Sequence, residues 1–418
     1  MTVLANAGSF AKATGAATAT QTGIISTGFG AQPKALILMC EIATSDQTAT
    51  GGPAAHAFGF STPSAARSFS GASGASGITT KAYKRAAAKA LTIVNATGTT
   101  LAECDATFNS DGTIDLAWTT NDSNAYRVRY LALGGTSLSA SIVEWASLTA
   151  TGSKSITGAG FQPNAALTIG DDLDNALPRG GTFETHMFGA TDGTNSWAMA
   201  GWTQDGAVGS TTARIFIIDD GVDALADNTN RTHATFTSWD SDGMTLNYDV
   251  VQGWQTTHAS KHATLFLAGA TVKAGKFSKS SSSGPVTDTI STPSLQPRAL
   301  ILAMGGSLSA SDSAVQNSWE HSVGLSDGTN STSTWSAYAH NQASSANGNA
   351  EGGDGWGMIS TNPGTINHTG TASLNNGSFA ITWNPNDASA TDVFYLAIGE
   401  AGGSAFPWIY YEQQRQNR

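Results

Sequence analysis

The sequence predicts an all-β protein built of three tandem β-sandwich modules, jelly-roll-like, each about 130 residues long. Three observations predict it. The first is a repeat. Gln32-Pro33-Lys34-Ala35-Leu36-Ile37-Leu38 returns as Gln162-Pro163-Asn164-Ala165-Ala166-Leu167 and as Gln296-Pro297-Arg298-Ala299-Leu300-Ile301-Leu302. The prolines stand 130 and then 134 residues apart, a period that marks a repeated unit. The second is composition: only 12% of residues are charged and 47 are glycine, against roughly a quarter charged in an average globular chain. Many turns and few long helices follow. The third is a regular series of short β-branched or aromatic runs bounded by Gly, Ser, Asn and Asp.

Three more markers recur in the same order. One is His-x-[Phe/Val]-Gly, at His56–Gly59, His186–Gly189 and His321–Gly324. Another is a Gly-led strand ending at an aromatic, Gly112 to Trp118, Gly243 to Tyr248 and Gly377 to Trp383. The last is an aromatic strand stopping at glycine: Tyr130-Leu131-Ala132-Leu133-Gly134, Phe266-Leu267-Ala268-Gly269 and Tyr395-Leu396-Ala397-Ile398-Gly399. The modules are placed at residues 1–140, 141–273 and 274–402, with a C-terminal aromatic docking segment at 403–418. An aromatic post precedes each module, at Phe10, Trp145 and Phe277, and a fourth stands alone at Phe406-Pro407-Trp408-Ile409-Tyr410-Tyr411.

Within module 1, strands are predicted at 20–27, 35–43, 55–61, 66–70, 78–84, 88–95, 103–108, 113–119 and 126–133. Proline lacks an N–H and fixes φ, so Pro33 suits the turn that launches the aliphatic run. Ile114, Leu116 and Trp118 alternate with polar neighbours, the pattern of a strand with one wet face. The Ala-rich run 85–90 has helical propensity, yet strand is assigned because Ser196-Trp197-Ala198-Met199 and Thr334-Trp335-Ser336-Ala337-Tyr338, taken as its counterparts, read as strands.

Formal charge is −11, from 20 basic and 31 acidic residues. This argues against nucleic acid or an anionic membrane as partner, and no stretch is apolar enough to suggest membrane insertion. Cys40 and Cys104 read as buried thiols. No cofactor is expected.

Each chemical motif has a plainer reading. His56, His186 and His321 occupy equivalent positions; they could share one metal only if the modules close around an axis. The expectation is that each bonds a loop carbonyl at a strand start, with no metal. Whether the modules form a rod or a ring is left open. Asp171, Asp172, Asp174, Asp219, Asp220, Asp223 and Asp227 cluster in module 2 without calcium-loop spacing, and read as solvated loop charge. Glu184 and Glu320 precede two of the histidines, but Ala54-Ala55 stands there in module 1, against a shared carboxylate pair. Gly-x-Ser-x-Gly and His-Glu-x-x-His are absent, so no catalytic residue is assigned. Trp197, Trp202, Trp335 and Trp356 are candidate glycan-stacking residues, because tryptophan on a sheet face stacks on sugars. Phe406, Trp408, Tyr410 and Tyr411 are candidate interaction residues, since a lone aromatic strand must cover something.

The motifs Gly28-Phe29-Gly30-Ala31-Gln32-Pro33 and Gly160-Phe161-Gln162-Pro163, followed by Gly-x-x-x-x-x-Trp and Tyr-Leu-Ala-Leu-Gly-Gly strands, resemble modules of bacteriophage virion proteins. Module 1 has two extra residues before its proline, and module 3 has Pro293-Ser294-Leu295 in place of Gly-Phe. The resemblance implies a non-enzymatic structural protein located in the virion, in the tail, its adsorption apparatus or on the capsid surface. Its implied partners are other virion proteins and itself, as a homo-oligomer. The alternative is a receptor-binding protein for a host-surface glycan; a polysaccharide-degrading enzyme ranks last.

Overall fold

The computed structural model describes residues 2–15, 17–42, 44, 54–73, 82–95, 99–171, 179–181, 183–204, 213–226, 230–305, 318–339, 348–359 and 366–402. Among the described residues module 1 has ten strands: β1 (Leu4–Ala11), β2 (Ala19–Ser26), β3 (Ala35–Glu41), β4 (Ala54–Ser61), β5 (Ala66–Ser73), β6 (Ala82–Ala87), β7 (Leu91–Val94), β8 (Thr100–Phe108), β9 (Thr113–Thr120) and β10 (Arg127–Gly134). They form two antiparallel sheets, ordered β1-β10-β3-β4-β5-β6 and β2-β9-β8-β7. Every predicted strand of the module has its counterpart, and the Ala-rich run is strand through Ala87.

Modules 2 and 3 repeat this order strand for strand. Module 2 runs Ser139–Ala146, Gly152–Thr157, Ala165–Asp171, Phe183–Thr191, Ser196–Gln204, Ala213–Ile218, Gly221–Ala226, Arg231–Asp240, Gly243–Val251 and Lys261–Ala268. Module 3 runs Thr271–Ser278, Val286–Ser291, Leu295–Gly305, Ser318–Ser326, Ser331–Ala339, Gly348–Asp354, Trp356–Ile359, Ile366–Asn375, Ser378–Trp383 and Asp392–Ala401. There is no α-helix among the described residues.

Several details differ from the sequence reading. Each post is the first strand of the module that follows it, so the module starts shift to Ser139 and Thr271. Register aligns Leu265 with Leu131 and Leu396, through their partners Leu167, Ile37 and Ile301. The last marker of module 2 therefore stands two residues before Phe266-Leu267-Ala268-Gly269, a run that mimics the motif. Strand Ser196–Gln204 matches β5; the counterparts of β6 are Ala213–Ile218 and Gly348–Asp354. Strands β3 to β6 run as a meander in one sheet, and the chain crosses between the two sheets at β1–β2, β2–β3, β6–β7 and β9–β10.

The three modules close into a ring. The six-stranded sheets face inward and the four-stranded sheets outward. Strand β3 is buried along its whole length, because its two faces meet two cores. Leu36, Leu38 and Cys40 pack against the outer sheet of module 1. Ala35, Ile37 and Met39 enter a core shared with Ala165, Leu167 and Ile169 of module 2 and Ala299, Ile301 and Ala303 of module 3. A continuous aliphatic strand is what two buried faces require, and each buried Leu, Ile or Met side chain contributes about 1.5–3 kcal/mol.

The seams run around the ring. Asp327 Oδ2 accepts from Ala7 N at 2.9 Å, joining modules 3 and 1. Asp192 Oδ2 accepts from Ala274 N at 2.9 Å, joining modules 2 and 3 in the same way. Between modules 1 and 2, Arg67 Nε donates to Glu144 Oε2 at 2.7 Å, and Arg179–Gly181 adds a strand to the edge of β6. The glycine of the His-x-[Phe/Val]-Gly marker lets inner and outer sheets approach. A Cβ on Gly59 would lie 1.8 Å from Ala90 O, and one on Gly189 would lie 2.3 Å from Val222 O.

Candidate functional site at the ring axis

Closing the ring brings the three marker histidines together. The ring centroids of His56 and His186 are 3.9 Å apart, those of His186 and His321 4.8 Å, and those of His56 and His321 5.7 Å. The expectation of three isolated histidines at strand starts is therefore replaced by one axial layer, because the modules pack around an axis. All three are buried. Two residues further along each strand the axis turns apolar, with Phe58, Phe188 and Val323, and then Phe60, Ala190 and Leu325. Phe58 and Phe188 touch at 5.8 Å between centroids.

Burial keeps these imidazoles neutral. His56 is held well below its ordinary value by desolvation and then by His321. His186 is lowered by desolvation and by both other histidines. His321 is lowered to about 3 by burial. Two carboxylates accompany them. Register sets Glu41 directly opposite His56 and Asp171 directly opposite His186, and directly opposed residues of an antiparallel pair project to one face. Both acids are 1% exposed. The third position is Gly305, opposite His321. As the side chains stand, no group of three or more His, Cys, Asp or Glu among the described residues is arranged to hold a metal ion.

Further buried polar nodes lie inside the modules. In module 1, Lys12 Nζ donates to Ala13 O at 2.9 Å and Asp122 O at 3.0 Å, bonds Asn121 Oδ1, and pairs with Asp122 Oδ1 at 3.0 Å. In module 3, Lys279 Nζ meets the same set: Ser280 O at 3.2 Å, Asp387 O at 3.1 Å, Asn386 Oδ1 at 2.7 Å and Asp387 Oδ1 at 2.8 Å. Module 2 has Ser147 there, whose Oγ accepts from Ser260 N at 2.8 Å. Its buried polar node sits elsewhere. Tyr248 donates to Asp223 Oδ2 at 2.5 Å, His262 Nε2 lies 3.0 Å from Asp223 Oδ1, and Trp145 stacks on His262.

The remaining candidates fare differently. Trp197, Trp202 and Trp356 are buried, at 0%, 3% and 2% exposure, so they are core residues and offer no sugar-stacking face. Trp197 packs on Phe394 and donates to Tyr395 O at 2.8 Å across the seam between modules 2 and 3. The strand carrying both Trp197 and Trp202 lies in a sheet covered on both faces. The Trp335 side chain, the Glu184 and Glu320 side chains, and Phe406, Trp408, Tyr410 and Tyr411 lie outside the described residues.

The module 2 acids do not converge. Asp219 pairs with Lys276, Asp220 with His233, and Asp223 is buried with Tyr248. Asp172, Asp174 and Asp227 lie outside the described residues. Sequence reasoning missed Glu41, whose signal was its place at the end of the strand that precedes the histidine strand. It also missed the lysine nodes, signalled by Phe-x-Lys in two posts and Asn-Asp after two ninth strands. No family model, no curated protein and no solved structure matches the chain.

Proposed function

We propose that the protein is a non-enzymatic structural component of a bacteriophage virion, in the tail or adsorption apparatus or on the capsid surface, acting through contacts with neighbouring subunits. The observation that carries the reading is the shared axial core. Three sandwiches bury their inner sheets against one another and present a body of threefold pseudo-symmetry. Such a body suits an assembly position where a threefold or trimeric neighbour is met. The motif resemblance to virion modules points the same way. The buried ionisable groups Lys12, Lys279 and Asp223 are occupied by structural partners, which fits a role in contact and not in turnover. Burial of Trp197, Trp202 and Trp356 withdraws the main support for glycan binding.

The test is direct. Purified particles from the source encoding the chain should contain it at fixed stoichiometry by mass spectrometry, and a map of the particle should place it. Particles lacking the chain would refute the reading. Deletion of residues 404–418 is expected to block incorporation while leaving the ring folded; unchanged incorporation would remove that segment from the contact.

A further inference from the structure

The histidine layer sets three polar rings on an axis whose next layer is apolar. An apolar trio would fill the axis as Phe58, Phe188 and Val323 do one layer along. Instead all three modules place an imidazole there, and two of them set a carboxylate beside it. We propose that His56, His186 and His321 form a site for one divalent transition-metal ion on the pseudo-threefold axis, with Glu41 and Asp171 supplying the flanking carboxylates.

The distances support this. Metal–nitrogen bonds of about 2.1 Å at tetrahedral angles set imidazole centroids roughly 5 Å apart. The observed separations of 3.9, 4.8 and 5.7 Å straddle that value. Only the His56–His186 pair must open, by roughly 1–1.5 Å against the geometry that a tetrahedral ion requires. Three ligands come from equivalent positions on three strands, so the rigid sheets hold them at one level of the axis. The ligand type also fits, since all three imidazoles lie buried at one level of the axis and imidazole is the commonest metal ligand.

A tris-imidazole set with carboxylate neighbours selects borderline ions such as zinc, cobalt or nickel over calcium and magnesium, which take oxygen ligands. Glu41 and Asp171 would either complete the coordination or orient the adjacent imidazoles. Gly305, opposite His321, supplies no side chain of its own at the third position. The two buried cysteines take no part, since Cys40 and Cys104 both pack in the sandwich core of module 1. A metal here would tie the three modules together at one point.

The experiment uses the full chain. It is unfolded in guanidinium with a chelator, refolded with Zn2+ or Co2+, desalted, and analysed for metal content. Retention of about one metal per chain is expected, with a thermal midpoint raised by a few degrees over metal-free refolded protein. The cobalt form should show ligand-field absorption without a thiolate charge-transfer band. His186→Gln and His321→Gln should lose bound cobalt, a Cys40→Ala/Cys104→Ala variant should keep it, and Glu41→Gln or Asp171→Asn should weaken binding by about 10–100-fold. Wild-type protein that folds and retains neither metal would overturn the proposal, whatever the variants do. So would equal retention in folded histidine variants, or a thiolate band.

Discussion

Modules 1 and 3 and module 2 have one strand order but different buried polar locks. In modules 1 and 3 a lysine at the end of the first strand reaches across to the connection between the ninth and tenth strands, tying two sheet-crossing segments together. Module 2 has dropped the lysine for Ser147 and moved its polar node between the sheets, onto Asp223, Tyr248 and His262. Its corresponding connection is rebuilt around a short 3-10 turn, Gly253–Thr256. One strand order therefore accommodates two different buried polar locks. The layers beyond the histidines stay apolar in all three modules, although their residues differ.

The largest effect should separate the two kinds of lock. Lys12→Met and Lys279→Met each strand a partly solvated aspartate and several carbonyls, and should cost about 2–4 kcal/mol in denaturant unfolding. Ser147→Ala should cost about 1 kcal/mol. Equal losses would break the comparison.

Acid should act on module 3 through His368, which sits 3.2 Å from Asp387 beside the lysine node. Burial lowers His368 to about 4, with Lys279 adding to the shift and Asp387 opposing it. A histidine lowered in the folded state is protonated more readily in the unfolded one. Stability is thus full above about pH 6.5 and falls by about 1.4 kcal/mol per pH unit down to about pH 4. His368→Gln should flatten that part of the stability-versus-pH curve; an unchanged slope would show that His368 does not set it. Asp387 adds a later loss. Burial raises it, but hydrogen bonding from Lys279 and the neighbouring charges outweigh this and hold it below the usual carboxylate range. Its contribution disappears only as pH falls through that lower value.

The seams offer a smaller contrast. Asp192→Ala and Asp327→Ala remove a carboxylate that caps its own turn and also binds an edge-strand N–H of the next module. Each should cost about 1–2 kcal/mol and speed hydrogen exchange at Ala274 and Ala7. Arg67→Ala, at a half-exposed pair, should cost less than about 1 kcal/mol. The smallest effect lies at Ser294, which holds φ +65 where Gly30 and Gly160 hold +63 and +79. Ser294→Gly should stabilise by up to about 1 kcal/mol, and Gly30→Ser should cost a similar amount, both read from unfolding midpoints.

Much of the architecture was legible because it is written locally. Pro33, Pro163 and Pro297 launch equivalent strands, and alternation at Ile114, Leu116 and Trp118 marks an outer strand with one wet face. Ring closure was harder, since a repeat along a chain says nothing of how its units pack. A clue was nonetheless present: the unbroken run from Ala35 to Cys40 needs an apolar neighbour on both faces, and a two-sheet sandwich supplies only one. The convergence of His56, His186 and His321 follows from closure and was invisible without it. Trp197 misled for the same reason, because the surface that buries it belongs to another module.

That one backbone threads all three sandwiches has a thermodynamic consequence. Dilution cannot part the units, because each meets its neighbours at the high effective concentration set by a short linker. It has an evolutionary one as well. In a trimer of identical chains every substitution is made three times over, whereas here Gly305 can stand where its sisters are Glu41 and Asp171, and each copy is free to drift alone.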